Sequence, residues 1–483
     1  MGTTYTPSWN SLGAHVTPAW FKDAKFGIYT HWGVYSVPAC GPNGTWYPFN
    51  MYRAGTAQYD YHCRTYGPPA RFGYKDFIPM FTGEKFDPDE WAELFRKAGA
   101  RFAGPVGEHH DGFSMWRTRL SKWNAAEMGP RRDVVGELAR AVRRCDMKFM
   151  VALHHAENWW FFPHWAKEFD TADPKYAGLY GPPHNQGGIT EGSPEKDWQD
   201  WFFNHQDKPS REFLDLWLAK TREVIELYQP DLLWFDFGLH GVPESYRKEL
   251  LAHYYNAAVQ WRREVAVTYK GNDLAPGTAV IDLERGRMGE LTLHPWITDT
   301  TVDDGEGWGY IRDTGYKSVR QLVHCLVDNV SKNGQFLLNV GPQPDGQIPE
   351  PARERLLGIG KWLEVNSEAI YDTVPWLTYG GGPTRMRRSG AFCENDEVSY
   401  TAQDIRFTVK GDTLYAICLG WPAEPVTLGA LSGCYEGDIR AVSMLGTPAP
   451  LNWSFSAAGL TVRPPAERPC EHAVVFKIER GHP

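Results

Sequence analysis

No stretch of about 18 apolar residues occurs in the chain, so no membrane-spanning helix is expected. No basic segment followed by an apolar one opens it, and a signal peptide is not expected at its start. A cytoplasmic form and a mature secreted or periplasmic form both stay open. Lys/Arg-rich blocks are absent too. With 50 Lys and Arg against 59 Asp and Glu the net charge is −9. Neither nucleic acid nor a membrane is therefore an expected partner. Short cysteine spacings are missing: the 8 cysteines are scattered and form no C-x-x-C pair, so no structural zinc is expected. Their density does not require an oxidising compartment, although disulfides stay open. No cofactor and no metal are expected. No fixed repeat appears, which excludes solenoids and propellers.

What the chain has in excess is aromatic rings: 21 Trp, 23 Tyr and 24 Phe, 14% of its 483 residues. Rings that are apolar on the face and polar at the edge suit amphipathic ligands such as sugars. Two or three domains are expected at roughly 100–200 residues each. Short apolar runs alternate with helical patterns over roughly 20–370, the pattern of βα units. The runs are 26–30, 102–110, 148–155, 231–237, 265–269, 279–284, 296–301 and 335–341. Eight such strands predict a (β/α)8 (TIM-like) barrel with long loop insertions, taken as residues 1–375. The fifth to seventh have short or missing crossover helices. A Gly-rich stretch at 376–399 reads as a linker. Residues 400–483 show short strand-like runs without helical periodicity, and predict a C-terminal antiparallel β-sandwich.

In such a barrel the active site lies at the carboxyl ends of the strands. Ionisable residues collect there: His31; Glu108, His109 and His110; His154 and His155; Asp236; Glu284; Asp299. Each costs desolvation energy, so six strands agreeing point to a catalytic mouth. Two chemistries use this inventory. A metal-dependent hydrolase would take His and Asp as ligands, but the H-x-H pattern is absent. Glycoside hydrolysis would use paired carboxylates, with His and Trp holding the sugar. Adjacent strand residues face opposite ways, so a regular strand delivers only one of His109 and His110; a bulge would deliver both.

KFGIYTHWGVYSVPA, GEHHDGF, LLWFDFG, WGY at Trp308–Tyr310, and the long segment VSKNGQFLLNVGPQPDGQIPEPARERLLGIGKWLEVNSEAIYDTVPW resemble the α-L-fucosidases of glycoside hydrolase family twenty-nine. The resemblance implies a retaining exo-acting α-L-fucosidase, possibly transferring fucose as well, whose partner is a fucosylated oligosaccharide or glycoconjugate. It implies Asp236 as the nucleophile, with His31, His109 and His110 binding fucose hydroxyls. Trp234 is expected to line the pocket and Trp46 to contact the sugar. The acid/base is not fixed by a motif. Glu284, which ends the sixth run beside Arg285, is the choice, with Glu290, Glu306 and Asp299 as competitors. Many members carry Tyr-Ser where this chain has His154-His155, and His155 is assigned to substrate binding there. Two other readings stay open: a metal-dependent hydrolase on the same barrel, and a catalytically silent sugar-binding protein.

Overall fold

The computed structural model describes residues 4–186, 202–204, 207–305, 307–394 and 398–481. Eight parallel strands close into a barrel in chain order: β1 (Phe26–Thr30), β2 (Phe102–Glu108), β3 (Lys148–Leu153), β4 (Leu232–Phe235), β5 (Ala266–Lys270), β6 (Val280–Asp282), β7 (Trp296–Thr301) and β8 (Gly334–Val340), with β8 pairing back onto β1. Helices Pro88–Lys97, Val134–Arg144, Arg211–Tyr228, Glu244–Trp261, Val319–Ser331 and Glu350–Asn366 cover the outside. Their starts follow from the sequence. Asp87 accepts the N–H groups of Asp89 and Glu90 ahead of a first-turn Pro88. Ser318 and Gln321 form a reciprocal capping box. No helix separates β5 from β6 or β6 from β7 among the described residues.

Side chains alternate along each strand, and the inward set fills the lumen. Tyr29, Phe102, Val106, Met150, Ala152, Leu232, Trp234, Ala266, Val280, Ile297 and Leu337 form one buried cluster there. The fit is tight: a Cβ at Gly27 would lie 2.2 Å from the Phe102 ring. The outward set, including Ile28, Leu233 and Val267, packs under the helices.

The C-terminal part is a sandwich of two antiparallel sheets. One has the order β13–β16–β11–β10–β9, from β9 (Val374–Gly381), β10 (Ile405–Lys410), β11 (Thr413–Cys418), β13 (Ile439–Met444) and β16 (Val474–Arg480). The other is β12 (Val426–Leu428), β15 (Gly459–Val462) and β14 (Trp453–Ser456). Phe407, Leu414, Phe476, Leu428 and Leu460 meet in a core between them. The expected linker at 376–399 opens inside a strand, because β9 pairs with β10. Two of its glycines serve close approach: a Cβ at Gly380 would stand 2.1 Å from the Ile405 carbonyl oxygen, and one at Gly382 2.4 Å from Asp404 Oδ1.

The aromatic excess is mainly core. Trp91 and Trp362, on helical patterns, are buried. Trp32, Trp159, Trp160 and Trp296 flank strand ends and loops, a position that in the sequence suggests a sugar-binding rim, yet they are also buried. Three of them use their polar edge on a backbone carbonyl: Trp32 on Gln343, Trp160 on Asp207 and Trp296 on Lys332. All eight cysteines are free thiols. No helix among the described residues is long and apolar enough to cross a membrane.

Candidate active site

The period of two that fills the lumen also builds the mouth. Continuing the inward set one layer upward from Tyr29, Ala152, Trp234, Thr268 and Ile297 reaches His31, His154, Asp236, Lys270 and Asp299. Strand β2 breaks the rule. Its register shifts between Val106 and Glu108, as at a bulge. Glu108 turns outward and meets the Lys220 ammonium at 2.7 and 2.9 Å. His109 and His110 both turn in.

Asp236 sits at the centre. His110 Nε2 lies 3.3 Å from its Oδ2, His154 Nε2 3.8 Å from the same oxygen, and Lys270 Nζ 3.1 Å from Oδ1. Burial works against its charge, but Lys270 and His110 outweigh it and hold the carboxyl well below the usual range. Lys270 also donates to Glu284 Oε2 at 2.6 Å and lies 3.7 Å from Asp299. Contacts of 3.1 and 2.6 Å to one ammonium keep the two carboxyl oxygens within about 6 Å, compatible with the ~5–5.5 Å of a retaining pair. Burial and then the charges of Asp299 and Asp236 push the Glu284 carboxyl up, against the pull of Lys270. The two acids are thus driven apart, one toward the anion and one toward the acid.

Trp234 floors the site. Its ring faces Lys270 at 4.7 Å, and its Nε1 donates to Asp282 at 2.7 Å. Asp282 is raised by burial and by neighbouring Asp299, which accepts the Tyr29 hydroxyl at 2.8 Å. His31 Nδ1 lies 2.8 Å from the Asn339 side-chain oxygen and presents Nε2 to the pocket, 3.3 Å from His154 Nε2. Burial pushes His31 down to about 4, and lowers His109 and His154 as well. Neutral imidazoles each offer one donor and one acceptor, which suits sugar hydroxyls. The same three offer ligand atoms within 4.8 Å of one another and could also hold a metal ion. Outside this floor opens a cleft of ≈ 690 Å³ lined by Trp46, Phe237, Glu284, Arg285, Trp308 and Phe392, among others.

The family described as alpha-L-fucosidase matches residues 2–368, and the alpha-L-fucosidase C-terminal domain matches 395–479. The chain belongs to the alpha-L-fucosidase family. It is therefore a glycoside hydrolase. The chain is 33% identical to the tissue alpha-L-fucosidase of Homo sapiens, over 98% of this chain and 91% of that one. An alpha-L-fucosidase of Branchiostoma floridae is 32% identical over 98% of this chain and 96% of its own. Among solved structures, an alpha-fucosidase of Thermotoga maritima in complex with fucose matches with TM-score 0.75 and 30% identity, over 98% of this chain and 100% of that one.

Set in a fucosidase fold, the sequence-derived residues separate cleanly. The structure brings together Asp236, Glu284, His31, His109, His110 and Trp234. Trp46 closes the wall beside them, its ring 5.7 Å from His110 and parallel to Phe237. His155 is not in this group. It points outward to helix Arg211–Tyr228, where its Nε2 lies 3.3 Å from the Trp217 carbonyl and from the Thr221 hydroxyl. His154 takes the pocket position instead, and the alternation Met150, Ala152, His154 is the signal that identifies it. Glu290 is exposed and lies toward Tyr379 rather than Asp236. Glu306 lies outside the described residues. Asp299 is buried beneath Lys270. Lys270 stands one residue beyond the fifth apolar run, 265–269, so the run alone does not reveal it; the inward position of Thr268 points to it.

Proposed function

We propose that this fucosidase-family protein is a retaining, exo-acting enzyme of glycoside hydrolase family twenty-nine that removes terminal α-L-fucose from a fucosylated oligosaccharide or glycoconjugate. Asp236 attacks the anomeric carbon. The bond to the aglycone oxygen breaks, and that oxygen takes the proton of Glu284. A fucosyl ester of Asp236 results. Glu284, now a carboxylate, removes a proton from water, whose oxygen attacks the same carbon and frees Asp236. A sugar hydroxyl in place of that water gives transfucosylation. His31, His109, His110 and His154 hold the fucose hydroxyls over Trp234, and Trp46 borders the ring. The observation that carries this reading is the shared Lys270 ammonium, which holds Asp236 at 3.1 Å and Glu284 at 2.6 Å side by side at an open cleft, where Lys270 keeps Asp236 low and burial raises Glu284.

Glu284→Ala is expected to lower turnover of a natural fucoside about 10²–10⁴-fold while an aryl fucoside with a good leaving group reacts better. Azide should restore the rate and yield α-L-fucosyl azide, since the anion intercepts the ester of Asp236. Near-normal turnover of a natural fucoside by Glu284→Ala would exclude the assignment. The cluster of His31, His109 and His154 supports a metal-dependent hydrolase as the second reading. Activity lost to a chelator and restored by a divalent ion would favour it. Turnover of any aryl α-L-fucoside excludes a silent sugar-binding protein.

A further inference from the structure

The segment Gly390–Glu394 lies in the stretch that reads as a linker, yet it is bound along the loop that carries Glu284. Gly390 and Arg287 exchange backbone hydrogen bonds at 2.8 and 3.1 Å. The N–H of Phe392 donates to the Glu284 carbonyl at 2.8 Å, and those of Cys393 and Glu394 donate to Arg285 at 3.1 and 2.8 Å. The Arg287 guanidinium grips the carbonyls of Cys393 and Glu394 at 2.8 and 2.6 Å. The Glu394 carboxylate accepts the Thr300 hydroxyl at 2.6 Å and pairs with Lys317 at 3.3 Å, which anchors the segment to β7.

Two residues of this junction hold left-handed backbone without being glycine: Arg285 at φ 43° and Phe392 at φ 55°. Such conformations persist only where the surroundings fix them, and they concentrate at functional sites. Here the cost leaves the Phe392 ring in solvent, 63% exposed, at the edge of the cleft that Glu284 also lines. Trp46, Phe203, Phe237 and Trp308 are the other rings of that cleft, and Arg285 and Glu394 are charged groups between them. With these rings Phe392 makes an aromatic patch beside Glu284, and contiguous exposed apolar surface of this kind marks binding sites rather than packing.

We infer that Gly390–Glu394 forms the leaving-group side of the site, with Phe392 as the platform on which a hexopyranose aglycone lays its apolar C–H face. This rests on the fucosidase reading and on Glu284 as the group that protonates the aglycone oxygen. The rings offer apolar faces, and the charged groups between them, Arg285 and Glu394, are of opposite sign, which suits hydroxyls rather than an aglycone of one charge.

The test compares α-L-fucosyl fluoride, whose leaving group reaches no platform, with a fucosyl-hexose disaccharide and an aryl fucoside. For Phe392→Ala, kcat/KM on the disaccharide should fall about tenfold relative to that on the fluoride. Phe392→Trp should restore the ratio, and the inhibition constant of free L-fucose should stay that of the wild type. A fall of the same size on the aryl fucoside but none on the disaccharide overturns the sugar as occupant. An equal fall on all substrates, or no change, overturns the platform. A folded wild type that cleaves none of the three overturns the fucosidase reading, and the platform with it.

Discussion

Lys270 and Lys332 are both buried and both reach a carboxylate at hydrogen-bond distance, one at the barrel mouth and one at the seam between barrel and sandwich. At the seam, Asp328 accepts from Lys332 at 2.7 Å and from Arg406 of β10 at 2.6 Å. The Tyr379 ring faces both cations at 4.8 and 5.3 Å. Burial opposes the Asp328 charge, but Arg406 and Lys332 hold its carboxyl below the usual range. Cations outnumber the anion, and every strong charge has a partner. At the mouth the ratio is inverted. One ammonium serves Asp236, Glu284 and Asp299, and Asp282 lies beside them. The same desolvation is spent in both places. At the seam it is recovered as cohesion. At the mouth a surplus of negative charge is left over, and the oxocarbenium-like transition state of glycoside cleavage supplies the missing positive charge.

The difference can be broken at the seam first. Asp328→Ala strands two buried cations and is expected to destabilise the fold by about 3–5 kcal/mol. Denaturant unfolding measures it, and kcat/KM of the folded fraction should stay that of the wild type. The Asp328 carboxyl is lower when folded, so its contribution is full above the unfolded pKa of about 4 and is lost as pH falls through the folded value. At the mouth, Lys270→Met should cost about 100-fold in kcat/KM. Lys270 lowers both Asp236 and Glu284, so its removal raises both. With Asp236 as the proposed nucleophile and Glu284 as the proposed acid, the acid limb follows Asp236 and the basic limb Glu284, so the whole bell-shaped profile should move to higher pH. A profile that stays in place would refute the sharing of the ammonium. The smallest effect sharpens the contrast from the other side. Asp282→Asn keeps an acceptor for Trp234 and removes an acid whose charged form burial and Asp299 both oppose. It should stabilise the fold by on the order of 1 kcal/mol while lowering kcat, the usual exchange at a strained site. The corresponding neutralisation at the seam can only destabilise.

How much of this was legible in the chain depends on which rule each residue obeys. The eight strands were legible because apolar runs and turn signals mark them directly. Asp236, His31 and Glu284 were legible as ionisable groups at strand ends, where burial demands a reason. His154 was legible in principle, since Met150 and Ala152 already set the inward parity; assigning His155 ignored it. The pairing of His109 with His110 was not legible from parity, because a register shift decides it, although Pro105 and Gly107 mark β2 as irregular. The tryptophans misled because proximity to a strand end says nothing about which way a ring points. Gly380 and Gly382 misled for a different reason: a residue chosen for close approach and a residue chosen for freedom are the same letter.

The strap from Gly390 to Glu394 has a consequence for the order in which the enzyme becomes competent. The carbonyls of Glu284 and Arg285 find their partners in chain that is synthesised about a hundred residues later. A barrel emerging from the ribosome closes its strands with the Glu284 loop still untied. The Glu284 loop is tied only by chain beyond the barrel, so a truncated product that ends with the barrel still lacks this strap.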